Sequence, residues 1–314
     1  MAIKIIIAVL ILLPAALIQI NMYLFKTVFS RTKTAAREQE RAQEAFESLS
    51  ARHQSMHRKG QKWLEATPHE AVVIKSQDSL TLCGKLYPAE GATKTIILFH
   101  DFRTTAQTDF APIAPFFHET GLNVLLVDQR AHAASEGKYI CHGVKERYDC
   151  LEWIELVRAR YGREHEIYLG GMAMGATTVL LAAGLNLPGN VKGIIAESSY
   201  TSCRDILYDG AGRSVWLRHI HRAILPILCL LCRWIARFDP AKVSTVEAMK
   251  KNKTPVLFIH AQNDALVPKA MTMAAYEACT APKELYVEDG AGHGLTYLSH
   301  QKKCQQLVKR FLGV

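Results

Sequence analysis

From about residue 67 the chain alternates short apolar, β-branched runs with stretches of helical spacing, the pattern of a mostly parallel sheet covered by helices on both faces. Residues 71–75 and 80–87, parted by a turn at Gln77 and Asp78, predict an antiparallel opening. Six more strands are predicted at residues 95–99, 123–127, 166–169, 191–196, 255–259 and 284–287. Their unbroken apolar character suits strands buried on both sides. The rhythm breaks once: about 55 residues separate the sixth strand from the seventh, too many for a plain crossover, which predicts a cap over residues 199–254. Its Trp216, Trp234 and apolar run 223–231 are suited to walling an acyl pocket, touching a membrane or packing on the core.

The N-terminus has a different pattern. Residues 5–25 are apolar and uncharged between Lys4 and Lys26, a stretch of about 30 Å as a helix, enough to cross a bilayer. No A-x-A-like cleavage site precedes the charged segment, so residues 1–26 are expected to be an uncleaved anchor that Pro14 kinks without breaking. Lys26, Arg31, Lys33 and Arg37 follow the span, and positive-inside counting puts the body on the cytoplasmic side. Residues 27–66 are expected to form a charged, solvated helical stalk, and residues 67–314 the globular domain.

Charge and cysteines narrow the function classes. Of the net charge of +9, ten Lys/Arg against five Glu place +5 in the first 66 residues. The +4 left for the body, with no aromatic-interleaved basic stripe, does not support nucleic-acid binding. Eight scattered cysteines read as buried, reduced thiols; Cys229 and Cys232 form a C-x-x-C, but in an apolar run with no second pair. His219 and His221 have no third ligand nearby, so neither a metal nor a cofactor is expected.

Three segments carry candidate chemistry. Gly171-Met-Ala-Met-Gly175 stands between a strand and a helical run, the context of a nucleophile elbow, where the usual pattern is G-x-S-x-G. Ala173 holds the serine's place and has no Oγ. Asp264 follows a buried strand in His260-Ala-Gln-Asn-Asp264, and His293 sits between glycines after the next strand. The order elbow, acid, histidine, each at the C-terminal end of a predicted strand, is that of a Ser-His-Asp hydrolase.

Around these residues, Phe99-His-Asp-Phe, Asp128-Gln-Arg-Ala-His-Ala-Ala-Ser-Glu-Gly-Lys-Tyr, Gly171-Met-Ala-Met-Gly-Ala-Thr-Thr, Ser199-Tyr-Thr-Ser and Leu257-Phe-Ile-His resemble membrane-anchored bacterial α/β-hydrolases related to the serine aminopeptidase and acylhydrolase group. The resemblance spans about residues 70–313. It implies an α/β-hydrolase fold with a mostly parallel eight-stranded sheet, a helical lid, and hydrolysis of a small-molecule or lipid-like ester or amide. It also implies that Asp264 orients His293 as general base, and that the backbone N–H groups of Phe102 and Met174 form the oxyanion hole.

Two positions depart from the family's pattern. Asp101 stands where relatives have glycine, so it either aims a carboxylate at the oxyanion loop or turns outward to cap the helical run near Asp109. Ala133 likewise stands where relatives tend to have glycine. Two readings stay open: a serine esterase or acylhydrolase silenced by alanine at position 173, or a natural pseudoenzyme that binds a ligand or partner in the old cleft.

Overall fold

The computed structural model describes residues 1–31, 44 and 46–314, and within its first helix the side chains at 12 and from 14 onward. In chain order its elements are α1 (Ala2–Phe29), α2 (Ala51–Ala66), β1 (Glu70–Lys75), β2 (Thr81–Tyr87), β3 (Lys94–Phe99), α3 (Ala106–Phe110), α4 (Ala114–Glu119), β4 (Leu122–Val127), α5 (Glu146–Tyr161), β5 (Glu166–Met172), α6 (Met174–Ala183), β6 (Val191–Glu197), α7 (Cys203–Arg213), α8 (His221–Leu231), α9 (Thr245–Met249), β7 (Val256–Ala261), α10 (Lys269–Ala278), β8 (Lys283–Glu288), α11 (Thr296–Ser299) and α12 (Gln301–Leu312). The eight strands form one sheet in the order β1-β2-β4-β3-β5-β6-β7-β8, antiparallel across β1, β2 and β4 and parallel beyond. Each predicted strand is present.

Apolar strand residues point alternately into two cores. One, around Trp153, Val179 and Phe258, is covered by α5, α6, α9 and α10; the other, around Phe110, Phe117 and Val308, by α2, α3, α4 and α12. All ten residues of α6 are buried. This helix can sit so deep because Gly175 faces β3: a Cβ there would lie 1.8 Å from the Phe99 carbonyl oxygen.

The N-terminal region differs from the solvated stalk expected for residues 27–66. Residues 32–43 and 45 lie outside the described residues, but α2 is packed rather than free. It buries His57, Gly60 and Leu64, the i, i+3, i+7 stripe of one helical face. A Cβ on Gly60 would meet Ala111 O at 1.8 Å, and His57 Nε2 bonds Thr108 O at 2.8 Å. The overall polarity of α2 hides this narrow stripe.

The end of α1 is bound as well. Phe25 and Phe29 are buried against Leu225, Leu228, Cys232 and Phe238 of the cap. Each such phenyl contributes about 1.5–3 kcal/mol of transfer free energy. Ser30 bridges Tyr139, Ile140 N–H donates to Phe29 O at 2.7 Å, and Arg103 donates to the carbonyls of Thr27 and Ser30. Among the described residues no helix is long and apolar enough to cross a membrane, and the apolar stretch 5–25 falls partly outside the described side chains.

Candidate active site

The loops after β3, β5, β7 and β8 meet at the C-terminal edge of the sheet. After β5 the chain turns into α6 at Ala173, whose φ of +46° and ψ of −101° are those of a strained elbow. Its N–H is held by Glu197 O at 2.8 Å. An alanine in this region gains nothing from the strain, so the surrounding packing imposes the turn.

After β7, Asp264 is fixed by two N–H donors on one oxygen, Leu266 N at 2.9 Å and Val267 N at 2.8 Å. Its other oxygen takes His293 Nδ1–H at 2.7 Å. The predicted acid and histidine therefore meet. The opposite nitrogen, Nε2, is the one that would face a serine Oγ. Here it lies 3.0 Å from Asp101 Oδ2.

Asp101 turns inward. Its Oδ1 accepts from Phe102 N–H at 2.6 Å and from Met174 N–H at 3.1 Å. Both donors predicted for the oxyanion hole thus converge on one point, and a carboxylate oxygen of the chain itself occupies it. The backbone holds Asp101 in turn: its N–H donates to Asp109 Oδ2 at 2.7 Å, an oxygen that also accepts from Thr104 Oγ1 at 2.6 Å. The expected alternative, Asp101 capping the helix near Asp109, is not seen; the helix of residues 106–110 is capped by Thr105 Oγ1.

Comparison with known proteins agrees with the fold. The family model described as serine aminopeptidase, S33 matches residues 91–236, and that described as TAP-like protein matches residues 229–313. The chain belongs to the α/β-hydrolase superfamily. Among curated relatives, the uncharacterized protein YqkD of Bacillus subtilis is 27% identical over 246 residues, 77% of this chain and 78% of that one. The polyketide transferase af380 of Aspergillus fumigatus is 31% identical over 122 residues, 37% of this chain and 41% of its own. The esterase Pf2001 of Pyrococcus furiosus shares the fold with a TM-score of 0.64 at 23% identity, covering 79% of this chain and 91% of its own. Est1E of Butyrivibrio proteoclasticus, solved with ferulic acid, has a TM-score of 0.60 at 18% identity, with coverage of 77% and 98%.

In an α/β-hydrolase the histidine must be neutral to take a proton, and here its surroundings act against that. Burial disfavours charge on His293, but hydrogen bonds and charge from Asp101 and Asp264 outweigh burial and push its pKa up to about 10. It is an imidazolium between two carboxylates at neutral pH. Burial, then the nearby Asp101 charge, pushes Asp109 up to about 7. Asp264 is held below the ordinary value because His293 and the Val267 N–H overcome its burial.

Three buried histidines brace the oxyanion loop as neutral imidazoles. His100 accepts Gln129 N–H at 3.0 Å on Nε2 and donates from Nδ1 to Asp101 O at 2.6 Å, and burial pulls its pKa down to about 4. His132 accepts Arg103 N–H at 3.0 Å on Nε2 and donates to Arg130 O. His142, also lowered to about 4 by burial, stacks on Phe102 at 4.9 Å. The loop of Ala131 and Ala133 runs at φ of +61° and +40°, so alanine occupies a left-handed turn there.

A cavity of about 490 Å³ opens beneath Asp101 and His293. Apolar residues such as Leu98, Phe117, Ile195, Ile259 and Val308 line it, with Glu197 and Asp109 as acids. Glu197, Asp109 and the bracing histidines were not singled out from the sequence. Glu197 Oε1 is buried without a partner, and burial raises its pKa. Residues 199–254 contribute nothing to this lining; Ser48, Leu49 and His57 do. The cap's inner apolar side chains are instead spent on Phe25 and Phe29. Among the described residues no cluster of three or more potential metal ligands occurs, and the eight cysteines are free, six of them buried.

Proposed function

We propose that the chain is an α/β-hydrolase-fold protein held at a membrane by α1, with its body on the cytoplasmic side, that binds an apolar small-molecule or lipid-like ligand in its cleft without hydrolysing it. The observation that carries this reading is the Asp101 carboxylate on the Phe102 and Met174 N–H groups. An acyl carbonyl cannot use donors already bound to an anion, and a negative charge there opposes a developing oxyanion. The base is protonated and position 173 has no nucleophile. The cavity volume falls within the range of about 300–1,000 Å³ usual for small-molecule sites.

A second reading, a serine esterase or acylhydrolase silenced by alanine at 173, is favoured by one observation: Ala173 keeps the elbow's strained φ of +46° beside an intact Asp264–His293 pair. Ala173→Ser separates the two. In the non-hydrolytic reading this variant neither turns over p-nitrophenyl butyrate nor takes a fluorophosphonate probe, whereas Ala173→Ser with Asp101→Gly does react with the probe. Turnover by the single variant, rising by the roughly million-fold that a lost nucleophile removes, would discard the proposal in favour of the second reading.

A further inference from the structure

The cap carries a surface that the cleft does not use. From Ala211 to Phe238 the chain has five arginines, at 213, 218, 222, 233 and 237, and no acidic residue. All five are exposed, although Arg213 and Arg233 also pair with Asp209 and Asp239 at the segment's margins. Among them stand large apolar side chains in water: Trp216 is 86% exposed, Trp234 77%, Val215 69% and Leu230 49%. Isolated exposed leucines are ordinary, but two fully presented tryptophans within an acid-free, arginine-rich segment are not.

The geometry of α1 says what covers this surface. The described side chains from Leu12 to Ile20 are exposed apart from the half-buried Leu17, and the buried face of α1 begins at Asn21 and continues through Phe25 and Phe29. The length of α1 before Asn21 is about 28 Å at 1.5 Å per residue, close to the hydrocarbon thickness of a bilayer. Helix α1 then clasps α8 through Phe25 and Phe29. A helix with its free part in lipid therefore brings the cap to the headgroup layer, where tryptophan and arginine are the favoured residues.

We propose that the cap segment 211–238 is an interfacial surface that lies against an anionic phospholipid bilayer, with Trp216 and Trp234 among the headgroups. This rests on the reading of α1 as the anchor, and it adds that the body is laid on the membrane rather than tethered away from it.

The test uses the full chain in liposomes of phosphatidylcholine with and without phosphatidylglycerol, carrying a spin-labelled quencher lipid at shallow depth. The chain has four tryptophans; Trp153 is buried and Trp63 half-buried, so both serve as internal references. The expected result is lipid-dependent quenching that is lost in Trp216→Phe/Trp234→Phe, and whose increase with phosphatidylglycerol is lost in Arg222→Glu/Arg237→Glu. Quenching that survives the double phenylalanine variant, or cap tryptophans shielded from water but not quenched by lipid, as a protein partner would leave them, overturns the proposal. Carbonate extraction separates the two claims: a chain that resists extraction without cap quenching keeps the anchor and loses the interfacial cap. A chain that is extracted yet was quenched at neutral pH loses the anchor and keeps the cap.

Discussion

Asp101 Oδ2 stands 3.0 Å from His293 Nε2, on the side of the imidazole opposite Asp264, so the histidine is bracketed by two carboxylates that lie in different loops of the fold. Two anions hold the proton that a general base would need to release. Removing one of them should free it. Asp101→Asn is expected to lower the pKa of His293 from about 10 by about one to three pH units, the usual worth of one adjacent opposite charge. Imidazole resonances followed by NMR against pH report this directly, and a wild-type His293 titrating near its ordinary 6.5 would remove the bracketing argument.

Stability should carry the same signature. His293 has a folded pKa raised to about 10 from 6.5, so its contribution is complete below 6.5 and is lost as pH climbs to 10. Asp109, raised to about 7 from 3.8 by burial and by Asp101, adds a loss in the same direction that is finished by pH 7. His100 and His142 are lowered by burial to about 4 from 6.5 and act oppositely, since unfolding charges them between 4 and 6.5. Stability should therefore peak near pH 6.5 and fall by a few kcal/mol toward pH 10, because each tenfold difference in proton affinity between the folded and unfolded chain is worth about 1.4 kcal/mol. Urea unfolding at intervals of pH measures it; a flat limb above pH 7, or one that Asp101→Asn leaves unaltered, contradicts the assignment.

Gly175 is where the elbow and the core meet. Ala at this position would put its Cβ 1.8 Å from Phe99 O and 2.7 Å from His100 O, both backbone atoms that cannot swing aside. Gly175→Ala should cost at least the roughly 1–3 kcal/mol of ordinary overpacking and displace the β3 loop with it. The expected outcome is a lowered unfolding midpoint together with a shifted His293 resonance. An unchanged midpoint would mean that α6 packs against β3 with room to spare.

Ala133 offers the reverse experiment. Its φ of +40° costs a Cβ-bearing residue about 1–2 kcal/mol that glycine avoids, partly offset by glycine's greater freedom when unfolded. Ala133→Gly should leave stability equal or raise it by up to about 1 kcal/mol, where glycine at a strand interior would lower it. Thermal unfolding decides, and a clear loss would mean that the Ala133 methyl makes contacts worth more than its strain.

The strands were legible because burial on both faces writes unbroken apolar runs, and Asp264 and His293 because their loops follow such runs. The inward turn of Asp101 was not legible. Its partners Phe102 and Met174 are 1 and 73 residues away in sequence, and which way a turn aims a side chain depends on where the second of these arrives. The packing of α2 was hidden differently. Its buried stripe is only His57, Gly60 and Leu64, and a helix with so few apolar positions reads as solvated until Gly60 is seen against Ala111. Likewise the cap was legible as an insertion by its length, but its use of Phe25 and Phe29 was not, because Phe25 fits the apolar anchor and Phe29 falls in the segment whose charges read as a solvated stalk.

The carboxylate of Asp101 also changes what the cleft attracts. An empty oxyanion hole is a small region of positive potential that draws in carbonyls and acid products. With Asp101, Asp264 and a protonated His293 the three side chains sum to one negative charge. The local polarity is inverted: an anionic ligand group is disfavoured at the point where an open oxyanion hole would attract one.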